Sequence, residues 1–297
     1  ADGPQDGVEV LLQIGHLHVH AHLGLEPDLD LAEVSWLRDR QFYDISDVQN
    51  RWANDVKGLV DTLAALPDVI ALHLIPAAES TIFVNTYDAQ GNRTQIIKGH
   101  ASALTLADVP AAWRSAPVVH FGTIAHGISP ALRPDAFPDA LVGVTPQGFM
   151  RAWDENGRVY AVPWADKDVF LRTAHVLLSD EDLGHDAALE AAYAADAHCL
   201  IVTRGYNGAT LYRAGTRMDF PAPPVDKLRH PTGAGDTYAA AFMALLHQHP
   251  GDYARAARAA VAIASTYVAA CEGEGVPTLA ALGAVLAAPV VRAVLQR

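Results

Sequence analysis

The run Pro231-Thr-Gly-Ala-Gly-Asp-Thr237 leads straight into an apolar stretch, 238–246, whose spacing predicts a helix. Gly233 and Gly235 allow a tight turn that exposes consecutive backbone N–H groups at the start of that helix. Such groups have no acceptor within the helix, and with the positive end of its dipole they bind anions. Asp236 falls in the first turn, beside the place an anion would occupy. A carboxylate there can accept the proton of a hydroxyl as that hydroxyl attacks a phosphoryl group. The same residues also suit a glycine turn with a helix-capping aspartate and no chemistry.

A second constellation lies near the N-terminus. His16, His18, His20 and His22 alternate, so a strand would carry all four imidazoles on one face. Imidazoles at that spacing can ligate Zn²⁺ or Ni²⁺, and some metal-dependent hydrolases begin with His-x-His on a first strand. No matched carboxylate or later His/Asp set stands at a recognisable spacing, so the plainer reading is a solvated strand edge with no metal site.

The elements that must position these residues follow a βα rhythm. Short apolar runs at 8–14, 69–74, 118–121, 141–144, 175–178 and 200–203 read as buried parallel strands. Helical patterns lie between many of them, at 55–66, 105–113 and 187–197. Alternating strands and helices imply a doubly wound, mostly parallel sheet covered on both faces. Ala-rich helices are expected at 232–249 and 252–271, and a third from residue 278. Two stretches alternate polar and apolar residues instead. One is 80–87 with 93–98 around a Gly-containing loop, and the other is 148–162 with its turn at 154–157. Both read as β-hairpins, and the solvated face of the first places it outside the buried sheet.

Composition sets the outer bounds. The 297 residues are 51% hydrophobic and 19% charged, which excludes a disordered or disulfide-stapled chain. Acidic residues outnumber basic ones by 34 to 21, a formal charge of −13 that disfavours nucleic acid and anionic membranes as partners. Two cysteines, Cys199 and Cys271, sit in apolar surroundings and read as buried thiols of a reducing compartment. With no basic or apolar leader in the first residues, the expected location is the cytoplasm. The five tryptophans are scattered and read as packing or lid residues.

Taken with the glycine run, two further blocks carry a resemblance. The chain resembles the ribokinase-like (PfkB) family of sugar and nucleoside kinases, whose signature is a D-T-x-G-A-G-D run opening a long helix. Val202-Thr-Arg-Gly-Tyr-Asn-Gly-Ala-Thr-Leu-Tyr212 is similar to that family's nucleotide-contacting strand, turn and strand. His175-Val-Leu-Leu-Ser-Asp-Glu-Asp-Leu183 is similar to its N-x-x-E segment, which helps organise Mg²⁺ and phosphate. The order and spacing of the blocks match from about residue 69 onward, and the hairpin at 80–98 matches the family's lid.

The resemblance implies one domain over residues 1–297, a three-layer α/β/α fold with a mostly parallel central sheet and a small β-lid. Lid strands are expected within 16–50 and 80–99. It implies transfer of the γ-phosphoryl group of ATP, with Mg²⁺, to a hydroxyl of a small sugar, polyol or nucleoside. Family members often dimerise through the lid, so a homodimer is expected. Asp236 is the implied catalytic base, and the N–H groups of Gly233, Ala234 and Gly235 the anion hole. Thr203, Gly205 and Gly208 would shape the nucleotide pocket, with Ser179 and Asp182 where the family has Asn and Glu.

The substrate end departs from the pattern. His20 stands where the family carries a hydroxyl-gripping Asp after Gly15, no Gly-Gly dipeptide occurs, and His230 replaces the Asp that opens the signature. His20 is therefore the expected substrate contact. Those departures keep two other readings open: a non-catalytic nucleotide-binding relative with a degraded substrate site, and a metal-dependent hydrolase using the N-terminal histidines.

Overall fold

The computed structural model describes residues 7–14, 17–24, 72–75, 81–87, 93–225, 233–269 and 291–294. Strands β1 (Gly7–Ile14), β2 (Leu17–Gly24) and β3 (Leu72–Leu74) form an antiparallel sheet in that order. The first run is thus a strand, as its apolar content predicts, but it pairs antiparallel with its successor rather than parallel. The hairpin expected at 80–98 is present as β4 (Ile82–Tyr87) and β5 (Arg93–Gly99), a separate two-stranded sheet.

The main sheet has seven strands. Its parallel part comprises β6 (Val118–Gly122), β7 (Leu141–Thr145), β10 (His175–Ser179) and β11 (Cys199–Thr203). The second hairpin, β8 (Arg151–Trp153) and β9 (Val159–Ala161), stands outside this sheet and meets the first through Ile97 N–H donating to Gly157 O at 2.8 Å. Antiparallel strands β12 (Ala209–Arg213), β13 (Thr216–Phe220) and β14 (Val291–Val294) complete the other side.

Both faces of the parallel strands are buried, and alternation along each strand divides two cores. Leu177, Cys199, Ile201 and Leu211 face α3 (Ala234–Gln248) and α4 (Tyr253–Ala269), packing with Phe242 and Ala257. Val176, Leu178, Leu200 and Val202 face the opposite way, toward Phe170 and Leu171 of α1 (Lys167–Thr173) and Tyr193 of α2 (Ala187–Asp196). The Asp186 carboxylate caps α2 by accepting from Ala188 N–H at 2.8 Å and Leu189 N–H at 3.1 Å. This is the ribokinase-like α/β layering, with a mostly parallel centre.

One expected helix gives way to other structure. Over 105–113 the chain makes short 3-10 turns, Leu106–Asp108 and Ala111–Trp113. Pro110 lacks an N–H and breaks the ladder between them. Asp108 also folds back onto Thr105, accepting from its N–H at 2.8 Å and its hydroxyl at 2.7 Å. Of the span from 278, where a helix is expected, β14 alone is among the described residues, and its β-branched Val291 and Val294 pair with Asp219 and Thr216 of β13. Residues 270–290, with Cys271, lie outside the described residues, as do 25–71 and the helix expected at 55–66. Cys199 is buried, and desolvation pushes its thiol pKa up, so it is an inert core group. No helix among the described residues is long and apolar enough to cross a membrane.

Candidate active site

Ser179, Thr203 and Gln147 meet at the C-terminal edge of the parallel strands, where α/β sheets of this kind collect their ligands. Ser179 and Thr203 are register partners on β10 and β11. Asp182 turns back onto this edge. Its Oδ2 accepts from Ser179 N–H at 2.9 Å and Ser179 Oγ–H at 2.8 Å, while its Oδ1 accepts from Gln147 Nε2 at 3.1 Å. Ser179 and Asp182 are therefore together, as the resemblance implies. Gln147 was not singled out from the sequence. Its signal is position alone, two residues beyond the end of β7 in Thr145-Pro-Gln.

The turn after Thr203 is fixed by its glycines and by charge. Arg204 N–H donates to Gly208 O at 2.7 Å and Gly208 N–H to Gly205 O at 3.0 Å. Gly208 has φ +91, and a Cβ there would lie 2.0 Å from Phe220 O and 2.6 Å from Ala222 N. Only glycine fits so close to another backbone. Behind the turn, the Arg204 guanidinium pairs with Glu190 of α2, and its Nε donates to Thr210 Oγ1 at 2.9 Å. Glu190 Oε1 also accepts from Tyr212 O–H at 2.5 Å. Burial, followed by this bond and charge, pushes the Tyr212 phenol up to about 12. The network braces the turn from α2.

β11 and β13 both run antiparallel to β12, so β13 ends at the same edge as Thr203. From there the chain proceeds to α3, which packs on β6, β7 and β10. Gly233 is its N-cap, with φ +85 and ψ −1, a left-handed conformation in which glycine carries no Cβ penalty. The first intrahelical bond runs from Thr237 N–H to Gly233 O at 2.9 Å. The N–H groups of Ala234, Gly235 and Asp236 precede it and have no acceptor within the helix.

The conformational demand thus falls on Gly233. Gly235, expected to need special geometry or close approach, sits inside the helix with ordinary φ, and among the described residues nothing outside its own helix lies within 4 Å of the place a Cβ would occupy. Its missing side chain faces open space that a bound group could fill. Asp236 is open to water, yet enough protein surrounds it that desolvation raises its carboxyl above the usual carboxylate range. His230, Pro231 and Thr232 lie outside the described residues.

His20 is in β2 with Leu11 as its Cα partner, and His18 and His22 pair with Gln13 and Glu9. β1 lies alongside β6 and also touches α3, which brings this small sheet toward the helix carrying Asp236. The backbone alone of this sheet is described around His20, and His16 lies outside the described residues. Trp164 is a core residue stacked on Phe149, whereas Trp153 of β8 sits between His100 and His126.

Residues 174–277 match the family model described as pfkB family carbohydrate kinase. No curated protein matches the sequence. Among solved structures, the fold is similar to a Burkholderia thailandensis nucleoside kinase in complex with inosine, at TM-score 0.56 and 20% identity over 79% of this chain and 76% of that one. It is similar to a pyrophosphate-dependent kinase in the ribokinase family, at TM-score 0.55 and 18% identity over 70% and 75%. Arabidopsis thaliana ribokinase complexed with ribose and ATP aligns at TM-score 0.50 and 18% identity over 70% and 69%.

Proposed function

From a ribokinase fold whose C-terminal part matches the PfkB family model, we propose that this chain transfers the γ-phosphoryl group of ATP to a hydroxyl of a small sugar, polyol or nucleoside. The observation that carries the reading is the start of α3. A left-handed Gly233 aims the Ala234, Gly235 and Asp236 N–H groups outward, and the Asp236 carboxylate stands in the same turn with its pKa raised.

In this reading the N–H groups hold a phosphoryl oxygen, and Asp236 accepts the proton of the attacking hydroxyl at a carboxylate oxygen. The bond from acceptor oxygen to γ-phosphorus forms as the bond to the bridging β–γ oxygen breaks, and ADP leaves. A raised carboxyl pKa makes Asp236 a stronger base than an aspartate of ordinary pKa. Such transfer depends on positioning and on stabilising charge more than on covalent chemistry. Mg²⁺ would supply charge neutralisation on the nucleotide phosphates. Asp182 would help to hold it, since Ser179 and Gln147 use three of its about four carboxylate acceptor sites and leave one. The β4–β5 hairpin would close over the substrate and exclude water.

The test incubates the protein with ATP and Mg²⁺ across a panel of sugars, polyols and nucleosides, with pyrophosphate as a second donor arm. Mass spectrometry of the acceptors reads the outcome. A phosphorylated acceptor is the expected result. Binding of ATP–Mg²⁺ with no transfer to any acceptor class favours a non-catalytic relative, and absence of ATP–Mg²⁺ binding overturns the reading.

A further inference from the structure

The parallel strands of the main sheet have a second edge, opposite the one that carries Ser179, Thr203 and Asp182. The five residues of β10 separate the two edges by roughly 13 Å, at about 3.3 Å per residue. His175 opens β10 opposite Cys199, which opens β11, and Arg213 ends the antiparallel β12 beside it. Alternation puts these three on the face marked by Leu177 and Leu211, under α4. Tyr253 begins α4 there. Its ring stacks on His175 at 5.8 Å between centroids, and its hydroxyl lies 3.3 Å from His175 Nε2. His198, exposed just ahead of β11, sets its ring edge-on to His175 at 5.3 Å.

Arg213 is out of balance with these surroundings. Its guanidinium carbon lies 4.1 Å from the centroid of the Tyr253 ring, a cation–π contact that holds the group in place. No carboxylate pairs with it among the described residues, although the chain carries 34 acidic residues against 21 basic ones. Its Nε is closed off from water and has no hydrogen-bond partner among them. A buried N–H left unmet is destabilising, the more so on a charged group, and calls for an explanation such as an absent ion. Burial first, and the charge of Arg213 after it, lower the His198 pKa, and the same charge acts on His175. The guanidinium is thus within electrostatic reach of both imidazoles, and no carboxylate is among the charges they feel.

An anion on the terminal nitrogens of Arg213 would supply the missing charge. The guanidinium fork gives two parallel N–H bonds to one oxyanion. A carboxylate spends both oxygens on that fork, whereas a phosphate keeps others for the exposed His198 imidazole. We propose that Arg213 and His198 form a phosphate-binding site at this edge, remote from Asp236, which takes inorganic phosphate or the phosphate group of a small metabolite. The Arg213 fork holds two oxygens, and a His198 ring N–H donates to a third. The site does not depend on the phosphotransfer reading.

The experiment follows the Arg213 Nε–H and His198 ring resonances of the full chain by NMR, assigned with Arg213→Gln and His198→Gln. Inorganic phosphate is added at constant ionic strength, with chloride as the balancing anion. Both resonances should move together and saturate. Glycerol phosphate as a second probe distinguishes an ester from the free ion. Arg213→Gln should abolish the movement at His198. Arg213→Lys keeps the charge without the fork and should weaken phosphate binding about tenfold. ATP–Mg²⁺ binding by Arg213→Gln should match wild type, so that this site and the one at α3 fail independently. Should Arg213→Gln not fold, the wild-type titration and the exposed His198→Gln, which should bind phosphate more weakly, still decide. Resonances that stay fixed at millimolar phosphate, or that chloride moves equally, overturn the inference. Saturation by succinate as tight as by phosphate overturns the phosphate assignment.

Discussion

Ser179 and Asp182 hold each other in a closed loop: the Ser179 hydroxyl donates to Asp182 Oδ2 at 2.8 Å, and Asp182 N–H donates back to Ser179 Oγ at 3.1 Å. The shorter side chains that stand in place of Asn and Glu thus still build an ordered strand end. Ser179→Ala removes both bonds and should cost about 1 kcal/mol in stability. It should also weaken ATP–Mg²⁺ binding, because Asp182 loses its orientation. Denaturant titration and calorimetry of the variant check both statements. Unchanged stability would show that the loop does not order this edge.

Asp236→Asn is expected to lower turnover by about 10²–10⁴-fold, the usual range for a general base, with folding intact. The wild-type rate should fall toward acid pH. Because desolvation raises the Asp236 pKa, the fall sets in above the pH at which an ordinary aspartate protonates. A pH–rate profile on the acceptor found in the screen tests this, and a variant keeping more than half of wild-type kcat removes Asp236 from the role.

Gly235 and Gly208 should respond to alanine in opposite ways. At Gly235 no described residue outside its own helix opposes a methyl group, and alanine favours the helix by about 0.5–1 kcal/mol. Gly235→Ala should therefore be at least as stable as wild type while binding ATP–Mg²⁺ more weakly, since in the proposed cradle a bound phosphate would meet the added methyl group. Gly208→Ala forces an unfavourable backbone conformation and an overlap with Phe220 O, and should cost more than about 2 kcal/mol. Equal effects of the two substitutions on stability and on binding would discard the cradle at Gly235.

Two buried histidines set an acid limit on stability. Desolvation lowers His120 and His175 to about 4, against a reference near 6.5 in the unfolded chain. Both are neutral when folded. His175 Nδ1–H donates to Val142 O at 3.0 Å, so its Nε2 accepts from Tyr253 O–H at 3.3 Å. Nearby His198 and Arg213 further disfavour a positive charge on His175. The unfolded state therefore binds more protons between about pH 6.5 and pH 4, and stability is lost as pH falls through that window. The slope is about 1.4 kcal/mol per pH unit for each group at most. Unfolding midpoints at pH 7, 6 and 5 should decline in step, and His175→Gln should flatten the decline.

Were His20 the acceptor contact that the resemblance implies, its imidazole would offer one donor and one acceptor and could not accept from a vicinal pair of hydroxyls as a carboxylate does. Poor phosphorylation of ribose, fructose and adenosine by wild type is expected, with His20→Asp improving at least one. A side-by-side panel at pH 6 and pH 8 decides it. Efficient wild-type phosphorylation of a common sugar, or no gain in the variant, shows that His20 is not the altered contact.

What the sequence determined by itself was local. The short runs at 175–178 and 200–203 read as strands buried on both faces, and the Gly-rich run ahead of 238–246 as a helix start with exposed N–H groups, and both are so. Alternation around a glycine loop likewise fixed both hairpins. Tertiary structure decided whatever depends on partners distant in the chain. Pairing with β13 made a strand of Val291–Val294 inside an Ala-rich stretch, whereas the break in the helical pattern at 105–113 was itself local, in Pro110 and the turn from Thr105 to Asp108. The placement of Gln147 on Asp182, of Glu190 on Arg204 and of Tyr267 over Gly233 was likewise invisible to spacing. Helical and strand periodicities report which face of an element is buried. They carry no information about which distant side chain will lie against it, because that depends on how the layers stack.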